Sequence, residues 1–265
     1  MRTYLAADTV QEAVAAMADG ARPVAGGTDL VVAARQGKKP MPPGLVGIHR
    51  IPGLDTLVET EAGLELGALV SHAAVVSHGS VRSSYTALAD ASALVGSHAT
   101  RAQGTIGGNV MNASPAMDTD APLLCLGASA VLASTGGERT ADLADLWTGP
   151  GTTSATPEEL LVSIHVPQPT GATGSAYVRL QYRRQMEIAV VGAAALVTLQ
   201  NDAIARCAIA ITALAPVIHR VPAAENALAG SSGEPAAIDS AAQAAAEAAR
   251  PIDDVRASAA YRRAM

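Results

Sequence analysis

Pro23-Val24-Ala25-Gly26-Gly27-Thr28-Asp29-Leu30 is answered further along the chain by Gly104-Thr105-Ile106-Gly107-Gly108-Asn109. Each segment sets a glycine pair behind an apolar run and follows it with a short polar side chain. Glycine has no Cβ, so it opens positive φ and lets backbone N–H groups come close to a phosphate oxygen. Successive N–H groups then converge on one point and hold an anion without a lysine. A helix over Asp29-Leu30-Val31-Val32-Ala33-Ala34-Arg35-Gln36, stopped by Gly37, would add the positive field of its N-terminus. Taken singly, either segment is more simply a tight turn after a strand. Two such turns together can clasp one dinucleotide.

Around these segments the sequence predicts alternating small elements. A helix starts at Asp8, with Gln11 three residues on as a capping box, and stops at Gly20. Its Val10, Val14 and Met17 fall at helical spacing and face a core. A strand near Arg22 to Ala25 leads into the first glycine turn. Beyond Pro42-Pro43-Gly44 come strands at Leu45 to Ile48, Thr56 to Val58 and Leu64 to Ala68, with a hairpin turn at Glu61-Ala62-Gly63. Ser71 reads as an N-cap, and a helix is expected from about Val81 to Leu94. Pro122 suits the first turn of a helix ending at Gly127, and Ala130 to Ala133 reads as a strand. The stretch from Pro167 to Gly174 reads as a linker. Tyr177 to Tyr182, Ala189 to Leu199 and Cys207 to Leu214 follow as strands, with a turn at Asn201-Asp202, and alanine-rich helices close the chain. Helices backing an antiparallel sheet is the simplest architecture for that last region.

Composition narrows the function. The 265 residues are 49% apolar and 16% charged, with no phenylalanine and one tryptophan, so alanine, valine and leucine must fill the core. That is a globular composition. A net charge of −6 without a basic cluster argues against nucleic acid. No apolar run reaches the roughly 20 residues that span a bilayer, and no signal segment precedes the first helix, so the expected address is the cytoplasm, away from any membrane. Cys125 and Cys207 are too few for an iron–sulfur cluster. His49, His72, His78, His98, His165 and His219 show no metal-ligand spacing. No metal and no catalytic acid, base or nucleophile are expected in this chain, so a redox centre would be organic.

The run from Thr105-Ile106-Gly107-Gly108-Asn109 through Asn112-Ala113-Ser114-Pro115-Ala116-Met117-Asp118 to Ala121-Pro122-Leu123-Leu124-Cys125-Leu126-Gly127-Ala128 resembles the signature of one flavoprotein family. That family is the medium, FAD-binding subunit of the molybdenum hydroxylases, which include carbon monoxide dehydrogenase and the flavin domain of xanthine dehydrogenase. The resemblance extends over nearly the whole chain. The Ala25-Gly26-Gly27-Thr28 turn, the Thr-Ile-Gly-Gly-Asn core, Pro157-Glu158-Glu159-Leu160-Leu161-Val162-Ser163-Ile164 and Arg183-Arg184 come in the family's order. The family's last helix runs on beyond the Tyr261-Arg262-Arg263 region, and its approach to the second motif is tighter than His98-Ala99-Thr100-Arg101.

The resemblance implies an α+β fold: a two-lobed FAD-binding domain, with a small α/β lobe over 1–55 and an α+β lobe over 56–168, then an antiparallel sheet with helices over 174–265. Carried over by position, Pro23, Val24, Ala25, Gly26, Gly27, Thr28, Asp29 and Leu30 would wrap the pyrophosphate of FAD, with Thr28 and the N–H groups of Gly26 and Gly27 as donors. Thr105, Ile106, Gly107, Gly108 and Asn109 would form the opposing wall. Asn112 and Asp118 would make polar contacts along the cofactor, and Val95 and Leu161 would pack near it. Arg179 matches a lysine that contacts the flavin in some relatives, and its forked, permanently charged head would change that contact. Ile188 corresponds to the residue on a face of the flavin ring, or is a plain core position in its strand. An aliphatic side chain there leaves room for a nicotinamide, which favours NAD as acceptor. Glu187 falls where the family has an aspartate, or is a solvated turn charge.

The implied function is electron transfer. A large molybdopterin subunit would oxidise the substrate, and a small subunit with two two-iron clusters would pass the electrons to FAD here for delivery to NAD, oxygen or a protein carrier. The assembly would be a heterotrimer or a pair of them. Two other readings stay open: a self-contained FAD-dependent oxidoreductase of the same cofactor-binding fold, and a scaffold that kept the fold and lost its flavin. A nicotinamide-binding Rossmann enzyme is weaker, because no Gly-x-Gly-x-x-Gly follows a strand.

Overall fold

The computed structural model describes residues 3–265, organised by three larger sheets. The first is parallel, with β1 (Thr3–Ala6), β2 (Arg22–Val24) and β3 (Gly44–Gly47) in the order β1-β3-β2. Parallel strands need crossovers, which are α1 (Val10–Ala18) and α2 (Thr28–Arg35). Helix α1 buries Ala13, Val14 and Met17 in a core with Val46 and Ile48. Its cap lies one residue later than expected: Thr9, not Asp8, accepts the N–H of Glu12 at 3.1 Å, and Glu12 reaches back to the N–H of Asp8 at 2.8 Å. Glu12 can do this because it stands three positions after Thr9, and its carboxylate is a stronger acceptor than the amide of Gln11.

The second sheet is antiparallel. Strands β4 (Leu57–Thr60) and β5 (Gly63–Gly67) form a hairpin, as do β6 (Ser129–Ser134) and β7 (Gly137–Asp142). A small pair, β8 (Trp147–Gly149) and β9 (Thr152–Thr153), precedes β10 (Leu160–Pro167), which inserts centrally to give β4-β5-β10-β6-β7. Between β5 and β6 run α3 (His72–Ser77), α4 (Gly79–Ser84), α5 (Thr86–Leu94), α6 (His98–Gln103), α7 (Ile106–Asn112) and α8 (Asp120–Leu126). One turn of helix, α9 (Leu143–Leu146), follows β7. The single helix expected from Val81 to Leu94 is two, broken at Tyr85, whose backbone leaves the helical region and whose ring is 1% exposed. Anchoring that ring in the core wins over continuing the helix.

The third sheet is a meander of β11 (Ala172–Leu180), β12 (Val191–Gln200), β13 (Ala203–Thr212) and β14 (His219–Arg220). Asn201 and Asp202, both at positive φ, make the tight β12–β13 turn. Side chains alternate between faces. Tyr177, Ala194, Leu196, Ala208 and Ala210 join the core of the second sheet's helices. Cys207 and Ile211 pack instead with Ala224, Leu228 and Ala241 of α10 (Pro222–Leu228) and α11 (Pro235–Ala248). The last helix, α12 (Ala259–Ala264), is tied down by Arg262, which donates to the carbonyls of Val190 and Ala213 and to Asp254. The fold is thus α+β, with the antiparallel meander seated on the second lobe. No helix among the described residues is long and apolar enough to cross a membrane.

Candidate functional site

The first glycine segment is a turn between β2 and α2. Gly27 sits in the left-handed region at φ 70 and caps α2 without any side-chain help. The N–H groups of Gly26, Gly27, Thr28, Asp29 and Leu30 donate to no acceptor among the described residues. None of these five residues is buried. A helix N-terminus with unmet N–H groups and an aligned dipole is an anion site by construction. Gly26 meets a different need. A Cβ there would run into the carbonyl of Gln103 and lie 3.2 Å from Cα of Gly104. The first turn therefore rests directly on the backbone that leads into the second motif.

The second glycine pair is not a turn. Gly107 and Gly108 occupy the first turn of α7, whose N-cap is Thr105. The Thr105 hydroxyl accepts the N–H of Gly108 at 3.0 Å, while those of Ile106 and Gly107 go to the carbonyls of Val70 and Ala68 at 2.9 and 3.2 Å. This segment presents no row of unmet N–H groups, so its expected role as a mirror image of the first turn is corrected. Gly107 is glycine for packing: a Cβ would lie 2.6 Å from the carbonyl oxygen of Ala68. Gly108 is exposed and faces Ala25 of the first turn, 3.9 Å from where its Cβ would stand. Ile106 is fully buried, which leaves Asn109 as the motif's half-buried polar side chain.

The other expected residues divide. Asp118, just before α8, and Arg179, on β11, come together at 2.6 Å, and Tyr177 donates to the same carboxylate at 2.7 Å. The Arg179 side chain has no exposed surface, and its remaining donors go to Gln181 and the carbonyl of Glu187. In this arrangement Arg179 holds the segment after β11 against the second lobe. Burial raises the Asp118 carboxyl's pKa against the pull of Arg179 and Tyr177. Leu161, 3% exposed, lies in the core on β10. Val95 ends α5 half-buried, its carbonyl held by Arg101 at 2.9 Å. Ile188 is 45% exposed on the β11–β12 connection, not in the core. That connection docks near Val95, since the N–H of Met186 donates to the carbonyl of Gly96 at 3.0 Å. Asn112 is exposed at the end of α7.

Sequence reasoning missed His72, which sits behind the two motifs with its ring edge 3.6 Å from where a Cβ on Gly104 would stand, next to the Thr28 hydroxyl at 3.7 Å. It is 2% exposed and its Nδ1 has no partner among the described residues. Burial, and then the charge of Arg101, holds its pKa down at about 4. The unfolded chain takes up this proton near 6.5 and the folded chain only near 4, so stability falls as pH falls between those values. The loss from pH 7 to pH 5 should be about 2 kcal/mol. Urea midpoints should show this slope in the parent chain and a flatter profile in His72→Gln; identical profiles would remove His72 as its source. Among the described residues, no group of three or more His, Cys, Asp or Glu is placed to hold a metal.

Comparison with known proteins agrees over the whole length. Residues 1–169 match the family described as the FAD binding domain in molybdopterin dehydrogenase, and residues 176–265 the CO dehydrogenase flavoprotein C-terminal domain. The chain is 33% identical to the 6-hydroxypseudooxynicotine dehydrogenase complex subunit alpha of Paenarthrobacter nicotinovorans, over 98% of this chain and 88% of that protein. It is 30% identical to the carbon monoxide dehydrogenase medium chain of Hydrogenophaga pseudoflava, over 99% of this chain and 92% of the relative. Its structure superposes on a chain of the carbon monoxide dehydrogenase from that organism, in a form lacking the Mo-pyranopterin moiety, with a TM-score of 0.95 and 31% identity, covering 100% and 92% of the two chains.

Proposed function

Because the chain belongs to the FAD-binding medium subunits of the molybdopterin dehydrogenases, we propose that it carries FAD on the first glycine turn and works as the electron-transferring subunit of a larger complex. The observation that carries this reading is the row of N–H groups from Gly26 to Leu30, at a helix N-terminus and met by no acceptor among the described residues. A diphosphate fits that cradle, being an anion rich in acceptors that needs several donors and no lysine. In this reading residues 23–30 hold the pyrophosphate, Asn109 and Asn112 flank it, and Val95 and Ile188 border the ring system. The lobes divide at 1–55, 56–168 and 174–265.

Bound there, FAD supplies a store for two electrons that can be filled singly and emptied as a pair. The protein's share is placement. Gly27 turns the backbone so that its N–H groups converge, Gly26 seats the turn on Gln103 and Gly104, and Arg179 with Asp118 docks the meander on the second lobe. The contact between Met186 and Gly96 closes the β11–β12 connection beside Val95. The electrons would come from a small iron–sulfur subunit served by a large molybdopterin subunit, in one heterotrimer or two, located in the cytoplasm. Exposed aliphatic Ile188 favours NAD over oxygen as acceptor.

Affinity purification of the tagged chain from its own cells tests this. The expected product is yellow, holds stoichiometric FAD, and brings iron and molybdenum on co-purifying subunits. A chain that alone oxidises a substrate would establish the self-contained oxidoreductase instead, and a colourless chain that refuses added FAD would end the reading.

A further inference from the structure

Thr119 is fully buried, and its hydroxyl lies 2.6 Å from Oδ1 of Asn109 and 3.5 Å from Oδ1 of Asp120. A hydroxyl has one proton to give. The short contact to Asn109 takes it, and the Asp120 carboxyl stands only at the limit of hydrogen-bond distance. Asp120 is itself fully buried, and its Oδ2 meets no partner among the described residues. Burial pushes its pKa well above the ordinary value. The short hydrogen bond therefore runs from the Thr119 hydroxyl to the side-chain carbonyl of Asn109. The NH2 end of that carboxamide is turned outward, has no protein partner among the described residues and is not enclosed. Asn109 follows Gly108, which faces Ala25 of the first turn.

We propose that Thr119 is a positioning residue that locks the Asn109 carboxamide with its NH2 outward, so that the second motif offers the cofactor a hydrogen-bond donor. This rests on the FAD reading above. It explains how the second motif can serve an oxygen-rich ligand although its backbone N–H groups are consumed inside the fold. The acceptor is an oxygen of the diphosphate or a carbonyl oxygen of the flavin ring.

The test is FAD affinity of the full chain, read by quenching of flavin fluorescence. Thr119→Val keeps the shape and removes the proton, and the dissociation constant should rise about tenfold. Thr119→Ser should restore it to within about twofold, which a purely packing role for the methyl group would not do. Should Thr119→Val not fold, Asn109→Asp carries the test, because it leaves the acceptor for Thr119 and replaces the outward donor by an anion. Its FAD affinity should fall at least about tenfold. If ADP binding weakens in parallel, the acceptor is the diphosphate; if ADP binding holds, it is the flavin ring. An amide turned the other way would make Asn109→Asp harmless, and parent-like affinity in that variant overturns the proposal. If Gly26→Val loses FAD while Thr119→Val and Asn109→Asp keep it, only this arrangement falls; if Gly26→Val keeps it too, the placement of FAD on the first glycine turn falls as well.

Discussion

Gly26→Val should lose FAD by about a hundredfold or more in affinity, while the control Gly79→Ala binds like the parent chain. The difference lies in what each new side chain meets. At Gly79 a Cβ meets nothing within 4 Å, and its φ is not in the left-handed region. At Gly26 it meets the main chain of Gln103 and Gly104, which cannot swing aside as a side chain would. Overpacking of this kind costs about 1–3 kcal/mol. The cheapest relief is for the turn to lift away, and lifting it disperses the N–H groups of Gly26 to Leu30. Titration calorimetry with FAD would measure both variants. Tight binding by Gly26→Val would mean that seating the turn on the second motif does not shape the cradle.

Asp118→Ala should cost about 3–5 kcal/mol of folding stability, a shift in Tm of about 6–10 °C. It strands the Arg179 guanidinium, which has no exposed surface, and deprives the Tyr177 hydroxyl of its acceptor. Surface pairs such as Arg139 with Glu159 are exposed on the arginine side and should matter far less. Asp118→Leu combined with Arg179→Met should recover most of the loss, because removing a buried pair together spares the unbalanced charge. Thermal melts of the single and double variants would show this. A double variant as unstable as the two singles summed would mean that the pair is not what joins the meander to the second lobe.

What could be read from the sequence was local. Gly20 beyond α1, the Gly63 hairpin and the Asn201-Asp202 turn are decided by residues within a few positions of one another, and glycine and asparagine announce positive φ directly. The family was legible because its motif residues are contiguous. The long-range contacts were not. Arg179 finds Asp118 across 61 residues, so the structural tie made by that charge could not be read from either residue's neighbours. Gly107 reads as a phosphate glycine until Ala68, far away in sequence, is seen pressed against it. Thr119 carries no signal of its own, since only the return of the chain past α7 brings its hydroxyl to Asn109. Tyr85 looks like a helix residue, and burial of its ring overrides that local preference.

The most direct test of the cofactor cradle is an amide NMR titration of the 15N-labelled chain with FAD. The account predicts that the resonances of Gly26, Gly27, Thr28, Asp29 and Leu30 move strongly downfield as they gain an acceptor, while the N–H groups of Ile106 and Gly107, already bonded to Val70 and Ala68, move little. FAD that binds stoichiometrically and leaves those five amides where they were would contradict it.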